Sequence, residues 1–343
     1  METWTVLDGA TSTTLLAAVD AAGTLRADPA HEILGWHKSE PGWCRGDACI
    51  PNFRTADLET ADGLDVVAFA ALAGLVTALD PSARALATAP DAGSRRRDLT
   101  GAIAPDVTLP TLTGERTALS SFRGTKVALV FWASWCGCRY DLGAWQERHE
   151  ALAPAGFTVV SIALDHDVAN AEPWHREAGT THPALVDVDG VAADAFDVVN
   201  VPTAVWLDEE GRIARPQDSQ TATDQFRDWN HLSAEASGRA LRRWVLEGDA
   251  GLTAAQVREH LRLPSEGDQR ARAETRLAGW LARNGHPEAA ERHFAAAAEA
   301  APHNVALRRG AMPLRGLDPF GDEYFRLAGQ LAEAGVPLHR PLP

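Results

Sequence analysis

The sequence predicts an α/β protein in which a central mixed sheet flanked by helices lies between an N-terminal α+β region and a C-terminal helical region. Two observations predict this fold class. Apolar runs at 126–132 and 157–164 are separated by a helical pattern, which is the order of buried parallel strands joined by helices. From residue 236 onward, the apolar residues recur at helical spacing. Three domains are therefore expected, at 1–95, 96–235 and 236–343.

The N-terminal region, 1–95, is predicted to mix helices with short strands. Residues 7–19 and 64–86 have helical character. The stretch 35–51 between them is rich in Trp, Gly, Pro and Cys, and it predicts a loop or short strands. Polar, breaker-rich residues at 89–97 predict a linker, which places the first domain boundary there.

The central domain, 96–235, holds the alternation of strands and helices. Residues 106–119 contain two short alternating segments around a Thr-Gly-Glu turn and predict a hairpin. Residues 204–214 predict a second hairpin around an acidic turn that ends in glycine. The polar residues 215–235 are expected to form an insertion that is not anchored to the core.

The C-terminal region, 236–343, is predicted to be helical. Residues 276–294 resemble one tetratricopeptide (TPR-like) helix–turn–helix unit, with a Leu- and Trp-bearing helix, an Asn-Gly stop and an Ala-rich second helix. The pattern has no convincing second copy. Because a lone unit cannot bury its own apolar face, it is expected to pack on neighbouring helices or on the central domain.

Composition and charge limit the classes of partner. The formal net charge of −15 disfavours nucleic acid and anionic membranes, since each requires a basic face. The chain start lacks the basic segment of a signal peptide, and the longest apolar run, 66–79, is too short to cross a bilayer. A cytoplasmic location is therefore expected, with neither nucleic acid nor membrane as a partner.

Two of the four cysteines follow the buried strand at 126–132. The strand delivers Cys136 to the start of a helix, where unpaired backbone N–H groups and the helix dipole stabilise a thiolate. That environment lowers the cysteine pKa and supplies a nucleophile at neutral pH. Cys138 is then within reach to attack a mixed disulfide and release the partner. We therefore predict Cys136 as the attacking thiol and Cys138 as the resolving thiol.

Four segments around these cysteines occur in the order found in a known family. They are a first strand at 104–110, an approach to the central strand at 119–127, the lead into the cysteines at 131–136, and a Val-Pro-Thr loop at 201–203. Together they resemble the thioredoxin-like superfamily, in its redoxin branch of TlpA and ResA type, over residues 100–214. The resemblance implies a thioredoxin-like fold, thiol–disulfide oxidoreductase activity and no cofactor.

The same resemblance implies which residues meet the substrate. It implies a cis peptide bond before Pro202, which faces the dithiol and leaves the backbone beside Val201 free to pair with a bound polypeptide. Trp135 is expected to shield the sulfur of the attacking cysteine. Trp135, Val201 and Pro202 are therefore the predicted substrate-binding residues.

The cysteine motif departs from the usual family pattern. Only Gly137 separates the two cysteines, whereas the family has two residues between them. A shorter disulfide ring is expected to be more strained and easier to reduce, and glycine supplies the backbone freedom that it needs. The variant resembles a bacterial ResA-like group with a Trp-Ala-x-x-Sec-Gly-Cys motif, in which selenocysteine can occupy the position of Cys136. That likeness marks Cys136 as the attacking atom.

An acidic residue follows the dithiol by one helical turn. The TlpA and ResA branch carries a Glu three residues after its second cysteine, and here Asp141 stands three residues after Cys138. Asp141 is therefore a candidate proton acceptor for the resolving thiol and is grouped with the catalytic residues. The alternative is an ordinary acid in the first turn of a helix.

The second cysteine pair, Cys44 and Cys49, has three competing interpretations. The two residues form a second redox pair that exchanges electrons with Cys136 and Cys138, or they bind a metal together with a nearby histidine, or they are reduced, buried thiols. Zinc ranks behind the other two because the spacing is unusual for a zinc site, and no metal is assigned.

The leading function is a thiol–disulfide oxidoreductase that acts on a protein or small-molecule thiol or disulfide and is served by a cellular thiol reductant. A thiol peroxidase that reduces peroxide at Cys136 is the first alternative, although the Pro-x-x-x-Thr-x-x-Cys pattern is absent because Ser134 precedes the cysteine by two residues. A metal-binding or scaffold module is the second alternative. The sequence indicates no particular oligomeric state.

Overall fold

The structure is a computed structural model that describes all 343 residues. Its strands are β1 (Glu2–Asp8), β2 (Thr11–Val19), β3 (Leu25–Ala27), β4 (His37–Lys38), β5 (Gly42–Arg45), β6 (Ala48–Pro51), β7 (Glu59–Thr60), β8 (Gly63–Asp65), β9 (Leu75–Asp80), β10 (Ala85–Pro90), β11 (Thr108–Pro110), β12 (Arg116–Ala118), β13 (Lys126–Trp132), β14 (Phe157–Ala163), β15 (Ala184–Val186), β16 (Thr203–Leu207) and β17 (Ile213–Asp218).

The helices follow the same chain order. They are α1 (Asn52–Thr55), α2 (Val66–Leu72), α3 (Ala92–Thr100), α4 (Leu142–Leu152), α5 (Val168–Ala178), α6 (Val191–Ala195), α7 (Arg227–Asn230), α8 (Ala234–Glu247), α9 (Ala254–His260), α10 (Glu266–Arg283), α11 (Pro287–Ala300), α12 (Val305–Gly310) and α13 (Asp322–Glu333). None of these helices is both long enough and apolar enough to span a membrane.

The chain forms two compact units, and each is made of two separate stretches of sequence. The first unit comprises Met1–Ser94 and Ser265–Ala301, and the second comprises Arg95–Pro264 and Pro302–Pro343. The first boundary lies beside the predicted one at residue 95. The predicted C-terminal region, 236–343, is divided between the two units, because its middle helices belong to the first unit and its remaining segments belong to the second.

The first unit is built on a seven-stranded sheet with the order β7-β8-β3-β2-β1-β10-β9. The helical character predicted for residues 7–19 is wrong, because β2 pairs antiparallel with β1 after a turn at Gly9, whose φ is +58°. Leu15 and Ala17 are buried while Leu16 between them is exposed, which is the period-two pattern of a strand. Within the predicted helix 64–86, only α2 is helical, and β9 follows it.

The predicted helix–turn–helix at 276–294 is formed by α10 and α11, which pack against each other. Helix α10 also packs on β9 and β10 of the first-unit sheet, and it buries Leu277 and Leu281 completely. The pair therefore covers its apolar face with a sheet as well as with its own partner helix. Its assignment as a tetratricopeptide unit stays a prediction.

The second unit contains the predicted mixed sheet, which is confirmed with the strand order β15-β14-β13-β16-β17. Strands β13, β14 and β15 are parallel, whereas β16 and β17 run antiparallel to their neighbours. Along β13, Leu129 and Phe131 pack into one hydrophobic cluster, while Ala128 and Val130 pack into another. This central strand is buried on both faces and ends just before the cysteine turn.

The polar segment 215–235 is not the unanchored insertion that the sequence predicts. Arg215 and Asp218 form a buried ion pair with an Nε–Oδ2 distance of 2.6 Å. Gln220 donates to the same carboxylate at 2.8 Å, and the side chain of Thr221 is also buried. Residues 215–222 are internal because their polar groups bond to one another, whereas most of residues 224–235 are exposed. Polarity alone does not reveal such pairing.

Candidate active site

The candidate active site is the turn that follows β13 in the second unit. Cys136 is the N-cap of a 3₁₀ turn, Gly137–Asp141, which continues directly into α4. The Sγ atom of Cys136 accepts the backbone N–H of Cys138 at 3.4 Å. Both cysteines are free thiols and both are buried, with only 5% and 7% of their surfaces exposed. The helix start expected at Cys136 is therefore present, in the tighter 3₁₀ form.

The two thiols have opposite pKa shifts. The hydrogen bond from the Cys138 thiol lowers the pKa of Cys136, and the positive charge of Arg309 lowers it further against the opposing effect of burial. Burial raises the pKa of Cys138 well above its ordinary value, and the hydrogen bond to Cys136 raises it further. Of the two sulfurs, Cys136 is therefore the one that ionises first.

The loop at 201–203 faces the attacking thiol. The Val201–Pro202 peptide bond is cis, as the resemblance implies. The Cys136 thiol donates to the carbonyl oxygen of Val201 at 3.6 Å. Val201 and Pro202 are both buried, and the hydroxyl of Thr203 fixes the loop by donating to the Asn200 carbonyl at 2.7 Å.

Residues 302–343 of the second unit cover this loop, and we call them the C-terminal cover. The backbone N–H of Ala306 in α12 donates to the Val199 carbonyl at 2.8 Å. The side chain of Asn200 donates to the Leu338 carbonyl at 2.6 Å. The Val199 carbonyl and the Asn200 side chain are therefore bonded to the protein's own C-terminal cover, while the N–H of Val201 donates to Oδ1 of Asn200. The prediction that the backbone beside Val201 pairs with a polypeptide stays a prediction.

Trp135 is also enclosed by the C-terminal cover. Its indole N–H donates to the Leu164 carbonyl at 2.9 Å, and 3% of its surface is exposed. A Cβ atom at Gly310 would lie 3.3 Å from the Trp135 ring, so glycine at this position lets α12 approach the indole closely. Trp135 thus packs against α12 and is not open to solvent, and its predicted role in shielding the sulfur stays a prediction.

Asp141 lies below the dithiol and is engaged by the loop at 221–223. Its Oδ2 accepts the hydroxyl of Thr221 at 2.7 Å and the backbone N–H of Ala222 at 3.0 Å. Its Oδ1 accepts the backbone N–H of Thr223 at 3.2 Å and the hydroxyl of the same residue at 2.5 Å. The carboxylate thus anchors the segment 215–235, and its predicted role as a proton acceptor remains a prediction.

Two residues beside the dithiol, Phe226 and Arg309, are not predicted from the sequence. A Cβ atom at Gly137 would lie 2.8 Å from Cε2 of Phe226, so this ring covers the glycine between the cysteines. The guanidinium of Arg309 lies over the Trp135 ring, 5.8 Å from its centroid. A single phenylalanine in a polar segment was a usable signal for Phe226. For Arg309 the sequence offers none, because the residue lies far from the motif in a helical region.

The second cysteine pair forms a disulfide in the first unit. Cys44 on β5 and Cys49 on β6 are direct cross-strand partners and are bonded. The interpretation of two reduced, buried thiols is therefore wrong, because strand pairing brings the two Cα atoms to 4.1 Å. No group of three or more His, Cys, Asp or Glu residues could hold a metal ion. Electron exchange with Cys136 and Cys138 stays a prediction.

The double substitution C44A/C49A tests what this disulfide does. We expect the free energy of unfolding to fall by about 2 kcal/mol, because the bond closes a short loop and restricts the unfolded chain. Urea denaturation of the variant and of the parent measures the loss. Unchanged stability together with slower turnover at Cys136 and Cys138 would contradict this expectation and favour electron exchange.

Comparison with known proteins places the dithiol segment in a family. The model of the AhpC/TSA family matches residues 100–215. Thioredoxin-like protein YneN of Bacillus subtilis is 36% identical over 117 residues, which are 33% of this chain and 68% of that protein. Thiol-disulfide oxidoreductase ResA of the same organism is 25% identical over 141 residues, which are 40% of this chain and 79% of that protein.

A solved structure is similar to part of the chain. The thioredoxin domain of a thiol-disulfide oxidoreductase from Bacteroides vulgatus aligns with 42% of this chain and 96% of its own, with 21% identity and a TM-score of 0.36. The YneN match spans two thirds of that relative, and relatives such as ResA are enzymes of the oxidoreductase class. The chain therefore belongs to the thioredoxin-like family, and thiol–disulfide oxidoreductases are among the relatives of this chain.

Proposed function

We propose that the protein is a thiol–disulfide oxidoreductase in which Cys136 is the nucleophile and Cys138 is the resolving thiol. The observation that carries the proposal is the position of the Cys136 sulfur, which accepts the Cys138 backbone N–H at 3.4 Å at the start of the 3₁₀ turn. Hydrogen bonds of this kind favour the ionised form of an acceptor. The opposite pKa shifts of the two thiols support the same division of roles.

The proposed reaction has two displacements. The Cys136 thiolate attacks one sulfur of a disulfide, forms a mixed disulfide, and releases the other sulfur as a thiolate that takes a proton from solvent. Cys138 then loses its proton and attacks the Cys136 sulfur, which releases the second thiol and leaves a Cys136–Cys138 disulfide. The substrate gains two electrons from the dithiol. An external thiol reductant then supplies two electrons that reduce the Cys136–Cys138 disulfide.

Burial of the dithiol favours a small substrate. Both sulfurs are almost inaccessible, Val201 is buried, and Trp135 packs against α12 of the protein's own C-terminal cover. A small disulfide is therefore the first substrate class that we propose. A folded polypeptide needs an exposed docking surface and would have to displace the C-terminal cover first.

The same burial favours peroxide as a second candidate substrate. The Cys136 thiolate would attack the O–O bond, the leaving oxygen would depart as an alcohol or water, and the sulfur would become a sulfenic acid. Cys138 would condense with that sulfenic acid to give a disulfide and water. Match of residues 100–215 to the AhpC/TSA family supports testing this reaction.

A trapping experiment with oxidised glutathione tests the proposed function. We expect the variant C138S to accumulate one glutathione per chain, because the resolving thiol is missing. The matched variant C136S should remain unmodified over the same time, since the pKa of Cys138 is raised. Intact-protein mass spectrometry measures both. Glutathione on C136S, with none on C138S, would reverse the assigned roles.

Two further probes on C138S distinguish the substrate classes. A stable adduct with insulin at a rate similar to that with glutathione would show that a polypeptide gains access and would contradict the preference for small substrates. Capture of a sulfenic acid on Cys136 by dimedone after hydrogen peroxide treatment would support the peroxidase candidate.

Three expectations from the sequence remain predictions. They are the cytoplasmic location, the cellular thiol reductant, and a Cys136–Cys138 disulfide that is easier to reduce because one residue separates the cysteines.

A further inference from the structure

The C-terminal cover places a buried cation beside the dithiol. Arg309 lies on α12, outside the segment 100–215 that matches the family, and only 5% of its surface is exposed. Two contacts, one near each end of helix α12, fix the helix against the candidate active site. The N–H of Ala306 bonds to the Val199 carbonyl, and Gly310 packs against the Trp135 ring. The helix thus holds Arg309 next to the turn that carries Cys136.

The partners that hold the guanidinium are neutral. Its Nε donates to the Pro319 carbonyl at 2.8 Å. It stacks on Tyr324 at 3.7 Å from the ring centroid, and on Phe320 and Trp135 at 5.0 and 5.8 Å. A buried cation is costly unless an anion offsets it. Carbonyl oxygens and aromatic rings hold the guanidinium in place but supply no net negative charge.

The titratable groups around the site leave Cys136 as the anion that matches this cation. Cys138 keeps its proton because its pKa is raised, and burial likewise raises the pKa of Tyr324. His339, which also faces Arg309, is neutral at pH 7 because burial lowers its pKa to about 4. Asp141 acts against ionisation of Cys136, and its oxygens accept four hydrogen bonds from the loop at 221–223. Asp165 accepts the N–H and the hydroxyl of Ser134, and burial raises the pKa of its carboxyl.

We propose that Arg309 is a positioning residue of the reaction, supplied by the C-terminal cover, which holds Cys136 as a thiolate. The proposal rests on the proposed role of Cys136 as nucleophile. The C-terminal cover then has two effects on the same sulfur: it restricts access to small molecules, and it makes the sulfur more nucleophilic at neutral pH.

The pH profile of Cys136 alkylation by iodoacetamide tests the proposal. The parent is full-length C138S, in which Cys136 is the one free thiol. Second-order rate constants are measured across pH for the parent, R309Q and R309K. We expect the R309Q midpoint to move upward, with a rate at pH 7 lower by about tenfold, because an opposite charge near a thiol shifts its pKa by about one unit or more. The lysine variant keeps the charge and should keep most of the effect.

The midpoint of the alkylation profile distinguishes the effect of the Arg309 charge from a change in the access of iodoacetamide to Cys136. Greater access to the sulfur raises the plateau rate of alkylation, whereas loss of the Arg309 charge with the C-terminal cover in place moves the midpoint. R139Q is the matched control, because Arg139 stacks on the same Phe320 ring at 4.8 Å and donates to the Ser134 carbonyl. We expect its midpoint to equal that of the parent. An unchanged midpoint in R309Q, or an equal shift in R139Q, would overturn the proposal.

The pH profile of C138S alone tests whether Cys136 is held as a thiolate, even if R309Q does not fold. A midpoint at or above that of an ordinary cysteine, about 8.5, contradicts a held thiolate. Alkylation requires no turnover of a disulfide. A low midpoint that depends on Arg309, without glutathione trapping on Cys136, would therefore uphold this proposal while overturning the proposed function.

Discussion

Replacement of Asp141 by alanine is expected to lower the free energy of unfolding of the second unit by about 4 kcal/mol. The substitution removes the acceptor of four hydrogen bonds and leaves the N–H groups of the buried Ala222 and the half-buried Thr223 without a partner. Each buried polar group left unpaired costs about 1–3 kcal/mol, and hydrogen bonds to a charged group lie at the upper end of this range. Urea denaturation followed by tryptophan fluorescence measures the loss.

The variant D141N separates anchoring from proton transfer. Its remaining carbonyl oxygen still accepts two of the hydrogen bonds, so we expect a loss of about 2 kcal/mol, half that of D141A. A stability of D141A within 1 kcal/mol of the parent would show that Asp141 is not an anchor. Turnover of folded D141N that falls far more than its stability would favour the predicted role as proton acceptor for Cys138.

Replacement of Gly137 by alanine is expected to lower the free energy of unfolding by about 2 kcal/mol. The added methyl group would lie 2.8 and 2.9 Å from two carbon atoms of the Phe226 ring, which is closer than non-bonded carbons approach. Overpacking of this kind typically costs about 1–3 kcal/mol. The displaced turn also carries both sulfurs, so we expect the rate of glutathione trapping on Cys136 to fall together with stability.

A second substitution tests the cause of that loss. In a background with Phe226 changed to alanine, the methyl group at position 137 meets no ring, and we expect most of the loss caused by G137A to disappear. G143A is the matched control, because Gly143 lies in α4 with no atom within 4 Å of the added Cβ. It should stabilise the protein by about 0.5–1 kcal/mol. If G137A lowered the free energy of unfolding equally with and without the Phe226 ring, the ring would be excluded as the cause.

Local patterns were enough to predict the strand and the turn that carry the two cysteines of the dithiol site. The apolar run 126–132 is buried on both faces, and the cysteines follow it at a helix start, so neighbours in sequence determine each feature. The strand and the turn were predictable because each depends on short-range sequence. The cis bond at Pro202 came from the family resemblance, which rests on four segments spread over residues 104–203.

Long-range pairing explains what the sequence did not reveal. The polar residues 215–223 are buried because they bond to Asp141 and to one another, and this requires knowing which distant groups meet. Arg309 approaches Trp135 from a helix more than a hundred residues away. A hairpin at 7–19 was mistaken for a helix because its apolar residues at 15–17 are consecutive, which obscures the strand period.

The interleaved order of the two units has a consequence for synthesis of the chain. The stretch Ser265–Ala301 completes the first unit, and it leaves the ribosome only after the whole central part of the second unit. Residues 302–343, which cover the dithiol, are made after both of these stretches. During translation Cys136 and Cys138 are therefore in a nascent chain that still lacks its cover, at a stage when neither unit can finish folding. Until residues 302–343 are folded in place, Cys136 lacks the shielding of the C-terminal cover and the positive charge of Arg309.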